Sequence, residues 1–201
     1  MTTDQPAGNY YDKYHTRNPV ARYLMQGFLD AFDSLWRITG AEHAVEVGCG
    51  EGELSMRLAS AGIRVKGYDI AEEAIFEARK RASEAALEIE FSICPLDRMD
   101  ATLTGPLVIC CEVLEHLDDP DSGLRVLEGL TTEWLIVSVP REPVWRILNM
   151  ARGKYLRQWG NTPGHVNHWS RPAFAAFVAS RFEIVECRSP LPWTMLLCRR
   201  R

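Results

Sequence analysis

Ala44-Val45-Glu46-Val47-Gly48-Cys49-Gly50-Glu51-Gly52-Glu53-Leu54 runs from a β-branched stretch through three alternating glycines into a segment where Leu54, Leu58 and Ala61 recur at i, i+4 and i+7. A strand, a tight turn and a helix follow from that pattern, the glycines letting the backbone turn sharply and come close to a ligand. Gly62 ends the helix. The next strand spans Ile63 to Asp69 and leads into a helix from about Ala71. Its Glu72 and Glu73 suit the positive N-terminal end of the helix dipole, and Arg79, Lys80 and Arg81 suit its later turns. Short strands near Ile89 to Ile93, Leu107 to Cys111 and Trp134 to Val139 continue the alternation. A helix at Pro172 to Ala179 and two strands, Phe182 to Cys187 and Trp193 to Arg199, close it. No helical pattern separates that last pair, so they form an antiparallel hairpin. The expected class is α/β: a mostly parallel sheet with one reversed strand and helices on both faces.

Around this frame, 201 residues with 46% apolar and 25% charged composition describe one ordinary globular core. An N-terminal arm and cap helix are expected over residues 1–40, the main domain over 41–201, and a lid insertion over about 141–169. Apolar runs such as Trp134-Leu135-Ile136-Val137 are far shorter than the roughly 20 residues that span a bilayer. The opening Met1-Thr2-Thr3-Asp4-Gln5-Pro6 has no secretory pattern, which makes a cytoplasmic location the expectation. Six cysteines without a Cys-x-x-Cys pair read as buried reduced thiols. A net charge of −4 argues against nucleic acid as a partner, but the charge is uneven. Residues 140–172 hold six basic side chains against Glu142 alone, a local +5 that leaves −9 elsewhere.

Asp69 ends the second strand 17 residues after Gly52, where a carboxylate can accept both hydrogen bonds of a ribose diol. A dinucleotide fingerprint would place a third glycine where Glu53 stands, and Glu46 favours a cationic ligand group over a phosphate, so a nicotinamide dinucleotide is disfavoured. The plain alternative is a tight strand–helix turn without a ligand.

Glu46-x-Gly48-x-Gly50-x-Gly52 with Asp69 resembles the class I methyltransferases that use S-adenosylmethionine, a likeness covering about residues 42–200. The resemblance implies a seven-stranded Rossmann-like sheet with a reversed seventh strand. It implies that Gly48 and Gly50 line the methionine and ribose portions and that Asp69 holds the ribose. Ile70 would pack on adenine, and Glu46, Cys49, Gly52 and Cys111 would complete the cofactor site. Where the family often carries an acid near the adenine amine, this chain has Cys94-Pro95-Leu96-Asp97, which puts Leu96 and Asp97 in that position.

Cys110-Cys111-Glu112-Val113-Leu114-Glu115-His116 follows the fourth strand at the carboxyl edge of the sheet. If a helix starts there, Glu112, Glu115 and His116 share one face, a half-site for a divalent metal. Glu-x-x-Glu-His resembles two methyltransferase groups, the O-methyltransferases of ubiquinone biosynthesis and the small-RNA terminal 2′-O-methyltransferases, both associated with a divalent ion. By the second likeness His165, four residues before Trp169-Ser170-Arg171, is the fourth ligand and His168 faces the acceptor. Two other readings of the motif compete: His116 as a general base without metal, or a polar helix start whose carboxylates cap backbone amides.

Val144, Leu148, Ala151, Tyr155 and Trp159 recur at helical spacing in the basic insertion, an amphipathic helix packed on its own domain or on a membrane surface through residues 141–159. Gly160-Asn161-Thr162-Pro163-Gly164 reads as a flexible hinge to His165. Val20, Leu24, Phe28 and Phe32 mark a helix in the N-terminal arm, and Tyr14 and Arg17 are placed to close the cofactor site. The expected activity is methyl transfer from S-adenosylmethionine to an oxygen of a small-molecule or lipid-like acceptor, with His116 and His168 handling the proton and Mg²⁺, Mn²⁺ or Zn²⁺ as the candidate ion. A non-catalytic cofactor-binding subunit and a nicotinamide oxidoreductase are the rivals. Oligomeric state is left open.

Overall fold

The computed structural model describes residues 18–201. Tyr14 and Arg17 lie outside the described residues. Seven strands form one sheet: β1 (His43–Val47), β2 (Arg64–Asp69), β3 (Glu90–Ile93), β4 (Gly105–Cys111), β5 (Thr131–Pro140), β6 (Phe182–Arg188) and β7 (Trp193–Arg200). Their order is β3-β2-β1-β4-β5-β7-β6, and only β7 runs antiparallel to its neighbours. The chain starts at the centre with β1, winds outward to β3, then returns to β4 on the other side of β1. That reversal opens a crevice at the carboxyl ends of β1 and β4, the place where open α/β sheets bind ligands.

Alternating side chains divide the core between the two faces. On one face Ala44, Leu107, Ile109, Ile136, Met195 and Leu197 pack against α1 (Pro19–Thr39), through Phe28, Phe32 and Leu35, and against α2 (Glu53–Ser60), through Leu54 and Leu58. Beyond them α3 (Glu72–Glu84) sets Ile75 and Ala78 on Phe91. On the opposite face Val45, Val108, Val137 and Leu196 meet α4 (Pro120–Leu130) through Leu124 and Leu127, and α6 (Arg171–Val178) through Phe174 and Val178. A short helix, α5 (Val144–Ala151), lies at the sheet's carboxyl edge. None of the helices is long and apolar enough to cross a membrane among the described residues.

Four local expectations change. Ala61 is exposed and sits past the end of α2, so that helix buries only Leu54 and Leu58. Val20, expected on the packed stripe of α1, is 62% exposed, and Met25, Leu29 and Leu35 join Phe28 and Phe32 instead. The insertion's helix stops at Ala151: Gly153, Tyr155 and Trp159 all have positive φ, a left-handed conformation that interrupts the helical stripe. Cys187 is exposed and Cys94 and Cys111 half-buried, while Cys49, Cys110 and Cys198 are buried; all six are free thiols.

Candidate functional site

Gly48, Gly50 and Gly52 all take positive φ in the turn after β1, which lets the turn fold over the end of the strand. A Cβ on Gly48 would come within 2.3 Å of Val113 Cγ2, so the glycine turn presses directly against the loop that follows β4. Asp69, at the end of β2, locks the turn: one carboxylate oxygen accepts from the Gly50 amide at 2.8 Å and the other from the Ala71 amide at 2.8 Å. Two oxygens offer about four acceptor positions, so two remain for a ribose diol. Ile70 beside it is 65% exposed, an uncovered apolar side chain suited to the face of a base. Cys94 donates its backbone N–H to the Asp69 carbonyl, which draws the Cys94–Asp97 stretch alongside. Leu96 is half-buried toward α4 and Asp97 is exposed.

Glu46 is buried on the α2 side, where the Ser55 hydroxyl donates to its carboxylate. Burial raises its pKa to about 8, outweighing the Ser55 hydrogen bonds that lower it, with Asp69 and Glu53 adding to the rise. A cationic ligand group would restore its charge. Burial also pushes the Cys49 and Cys111 thiols well above their usual value, which makes them neutral lining groups rather than nucleophiles. Glu53, counted against a pyrophosphate for its charge, is paired with Arg81 at 2.7 Å, so the argument against a dinucleotide rests on glycine spacing.

Across the crevice the expected helix start is absent. Glu112 has φ +61°, and residues Leu114–His116 form a single 3₁₀ turn, so Glu112 does not share a face with Glu115 and His116. Its oxygens turn elsewhere, one accepting from the Ser138 hydroxyl and the other from Trp193 Nε1 at 2.6 Å. Of the four residues expected to gather, the structure brings together Glu115, His116 and His165, whose ligand atoms all lie within 4.8 Å of one another. Glu115 and His165 are buried and His116 is half-buried.

His165 reaches this cluster because its loop is stapled to the 3₁₀ turn. Val166 and Asn167 donate backbone N–H bonds to the Glu115 carbonyl, and the Asn167 side chain donates to the Leu117 carbonyl at 2.6 Å. His116 Nδ1 lies 2.9 Å from the Gly164 carbonyl, which can only accept, so Nδ1 carries the proton. In the neutral ring the Nε2 lone pair then faces Glu115, 4.0 Å away. The two imidazoles meet edge to face at 4.8 Å, and Trp145 stacks on His165 at 5.7 Å.

The segment expected to be a flexible hinge is braced instead. Trp145 Nε1 donates to Thr162 Oγ1 at 2.9 Å and Asn149 Nδ2 to the Gly160 carbonyl at 2.9 Å, tying it to α5. His168 stands apart from the cluster, exposed, with Nε2 2.7 Å from Asn161 Oδ1. Burial first and the Arg146 charge second lower its pKa. Trp193 and Thr162 carried no sequence signal for the site, since each acts on a partner far along the chain.

Between the first turns of α1 and the inner side of α5 lies a cavity of about 650 Å³. Trp145 and Trp193 form its inner wall. The outer side of the insertion exposes Ile147, Leu156 and Trp159.

Residues 44–130 match the family model described as a methyltransferase domain. The ubiquinone biosynthesis O-methyltransferase of Bordetella avium is 36% identical over 88 residues, which cover 43% of this chain and 36% of that protein. Its counterpart in Chromobacterium violaceum is 32% identical over 130 residues, covering 63% of this chain and 54% of that protein. The chain thus spans about half, or less, of the length of these curated relatives. Among solved structures, the magnesium protoporphyrin IX methyltransferase of Synechocystis PCC 6803 with bound S-adenosylhomocysteine superposes with a TM-score of 0.73 at 22% identity, over 94% of this chain and 90% of that one. The methyltransferase domain of bacterial CtHen1-C gives 0.68 at 21% identity, over 88% and 98%. At these identities the structures show the shared fold.

Proposed function

We propose that this chain, which carries a methyltransferase domain at residues 44–130, transfers the methyl group of S-adenosylmethionine to an oxygen of a small-molecule or lipid-like acceptor. One observation carries the reading: the glycine turn clamped by Asp69 and the cluster of Glu115, His116 and His165 face one crevice, with Gly48 in contact with Val113 between them. The turn fits the cofactor by its chemistry. Asp69 keeps acceptor positions for a ribose, Ile70 supplies an apolar face, and Glu46 is a buried acid that a cation would stabilise.

When bound, S-adenosylmethionine supplies a methyl group on a sulfonium that is already a good leaving group. The protein's own residues then align the acceptor oxygen and take up its proton. His116 is the residue for that proton, because its Nδ1–H is held by Gly164 and its Nε2 lone pair is the open acceptor. His168 is a second proton carrier at the rim, since Asn161 Oδ1 receives its Nε2–H and leaves Nδ1 as the acceptor.

The cluster also supports a metal reading. One carboxylate and two imidazoles are a donor set that divalent ions such as Zn²⁺ or Mn²⁺ accept, and Mg²⁺ would rely mainly on the carboxylate and water. Glu115, His116 and His165 would hold the ion, which would supply Lewis acidity toward the acceptor hydroxyl. Glu112 stays outside this set, held by Trp193. The exposed Ile147, Leu156 and Trp159 support contact of the insertion with a membrane surface as a route for a lipid-like acceptor, and a cytoplasmic setting goes with this reading.

Calorimetry with S-adenosylhomocysteine and NAD, followed by transfer of labelled methyl from S-adenosylmethionine to a catechol carboxylate, tests the proposal. Binding of the homocysteine product and labelling of the catechol support it, and preference for NAD would overturn it. Binding without transfer to any acceptor would leave the non-catalytic subunit. Exhaustive chelation separates the two chemical readings. If an ion is required, transfer stops while S-adenosylhomocysteine still binds, and Glu115→Gln and His165→Ala are non-additive because each breaks the same site. Full activity after verified metal removal leaves His116 as the base.

A further inference from the structure

Resting on that reading, we propose that the cavity between α1 and α5 is the acceptor site, and that it selects an acceptor with an apolar body and an anionic group held by Arg152 and Lys154. Val20, Leu24 and Met25 of α1 face Trp145 and Leu148 of α5 across it, with Trp193 at the inner end. A volume of about 650 Å³ is within the range that encloses a molecule of cofactor or metabolite size.

The polar groups on its wall are already engaged by the protein. Thr162 Oγ1 accepts from Trp145 and Asn149, Asn149 also donates to the Gly160 carbonyl, and the Asn18 side chain accepts from the Val20 and Ala21 amides. What the cavity offers a ligand is therefore apolar surface along its length. Its only charged lining residues among those described are Arg152 and Lys154, with no acid among them, so the charge it complements is negative. Asn149 Oδ1 accepts from Arg152, which holds that guanidinium at the cavity wall.

The inner end connects this ligand to the chemistry. Trp145 presents one side to the cavity and stacks on His165, and Trp193 lines the same wall while its Nε1 donates to Glu112. An acceptor anchored at Arg152 thus places its far end against the two indoles that border the cluster. The arrangement assigns acceptor specificity to α5 and the first turns of α1, away from the glycine turn.

The test uses the full chain saturated with S-adenosylhomocysteine and three ten-carbon probes, decanoate, decan-1-ol and decyltrimethylammonium, titrated by calorimetry below their aggregation limits. Decanoate should bind at least tenfold more tightly than decyltrimethylammonium. Arg152→Gln combined with Lys154→Gln should cost decanoate about tenfold and leave decan-1-ol unchanged. Ala21→Trp, which places an indole in the cavity from an exposed position on α1, should abolish binding of all three. Equal affinity for the three probes, no binding of any of them, or binding that survives Ala21→Trp overturns the proposal. S-adenosylhomocysteine affinity is read in the same samples: its loss in the wild-type chain counts against the methyltransferase reading, and its retention confines a failure to the acceptor site.

Discussion

Asp69 accepts two backbone N–H bonds before any ligand arrives, and that double use decides how its variants behave. Asp69→Ala removes the clamp on Gly50 and the ribose acceptors together. Hydrogen bonds to a charged group contribute roughly 1.5–3 kcal/mol each, so S-adenosylhomocysteine affinity should fall at least tenfold by calorimetry. Asp69→Asn should do nearly as badly, because its amide would set a donor against the Gly50 or Ala71 N–H. Glu46 supplies a pH dependence. Its carboxyl keeps its proton up to about pH 8 in the fold, against an ordinary 4.5. A raised folded pKa means that stability is full below about 4.5 and declines as pH rises through 8, by up to about 5 kcal/mol. Thermal melts of the ligand-free protein should show that slope between pH 5 and pH 9, and Glu46→Gln should flatten it. Both residues were legible from strand-end spacing alone. The grip of Trp193 on Glu112 was not, because its partners stand 81 residues apart and no local pattern records such a contact.

At the scale of elements, the insertion shows where periodicity misleads. Tyr155 and Trp159 keep helical spacing with Val144, Leu148 and Ala151, yet the helix ends before them at Gly153. A glycine in a helix interior costs about 1 kcal/mol relative to alanine, and the insertion gains more by folding the following loop back on α5. Gly160 is where that return is tightest: with φ +75°, a Cβ there would lie 2.3 Å from the Arg146 carbonyl oxygen. Gly160→Ala should therefore displace the loop carrying Thr162 and His165. The expected outcome is a loss of methyl transfer of tenfold or more with S-adenosylhomocysteine affinity within twofold of wild type, measured by turnover and calorimetry. Equal loss of both would mean that the loop also supports the cofactor side. The turn after β4 was misread for a related reason. Glu112, Glu115 and His116 have helical spacing, but the positive φ of Glu112 breaks the register, and His165 joins through a loop pinned by Asn167 instead.

For the whole molecule, strand and helix positions were readable from alternating β-branched and helical patterns, and the closing hairpin from the lack of a helix between its strands. The spatial order β3-β2-β1-β4-β5-β7-β6 was not carried by periodicity; the likeness to a known family supplied the frame, and burial explains it. The central strands β1, β4 and β5 are apolar on both faces, so each needs helices above and below, whereas β6 alternates buried and exposed positions and can lie at an edge. Two cores therefore share one sheet, with Phe32 at the heart of one and Phe174 of the other, both with no exposed surface. Phe32→Ala and Phe174→Ala should each cost about 3–5 kcal/mol. If the sheet transmits unfolding between its faces, either variant lowers a single melting transition seen identically by far-UV circular dichroism and tryptophan fluorescence. S-adenosylhomocysteine at a hundred times its dissociation constant should return about 2.7 kcal/mol to both variants equally, since the crevice between β1 and β4 draws residues from both faces. Rescue of one variant only would show that the two cores unfold separately and that the ligand is coupled to a single face.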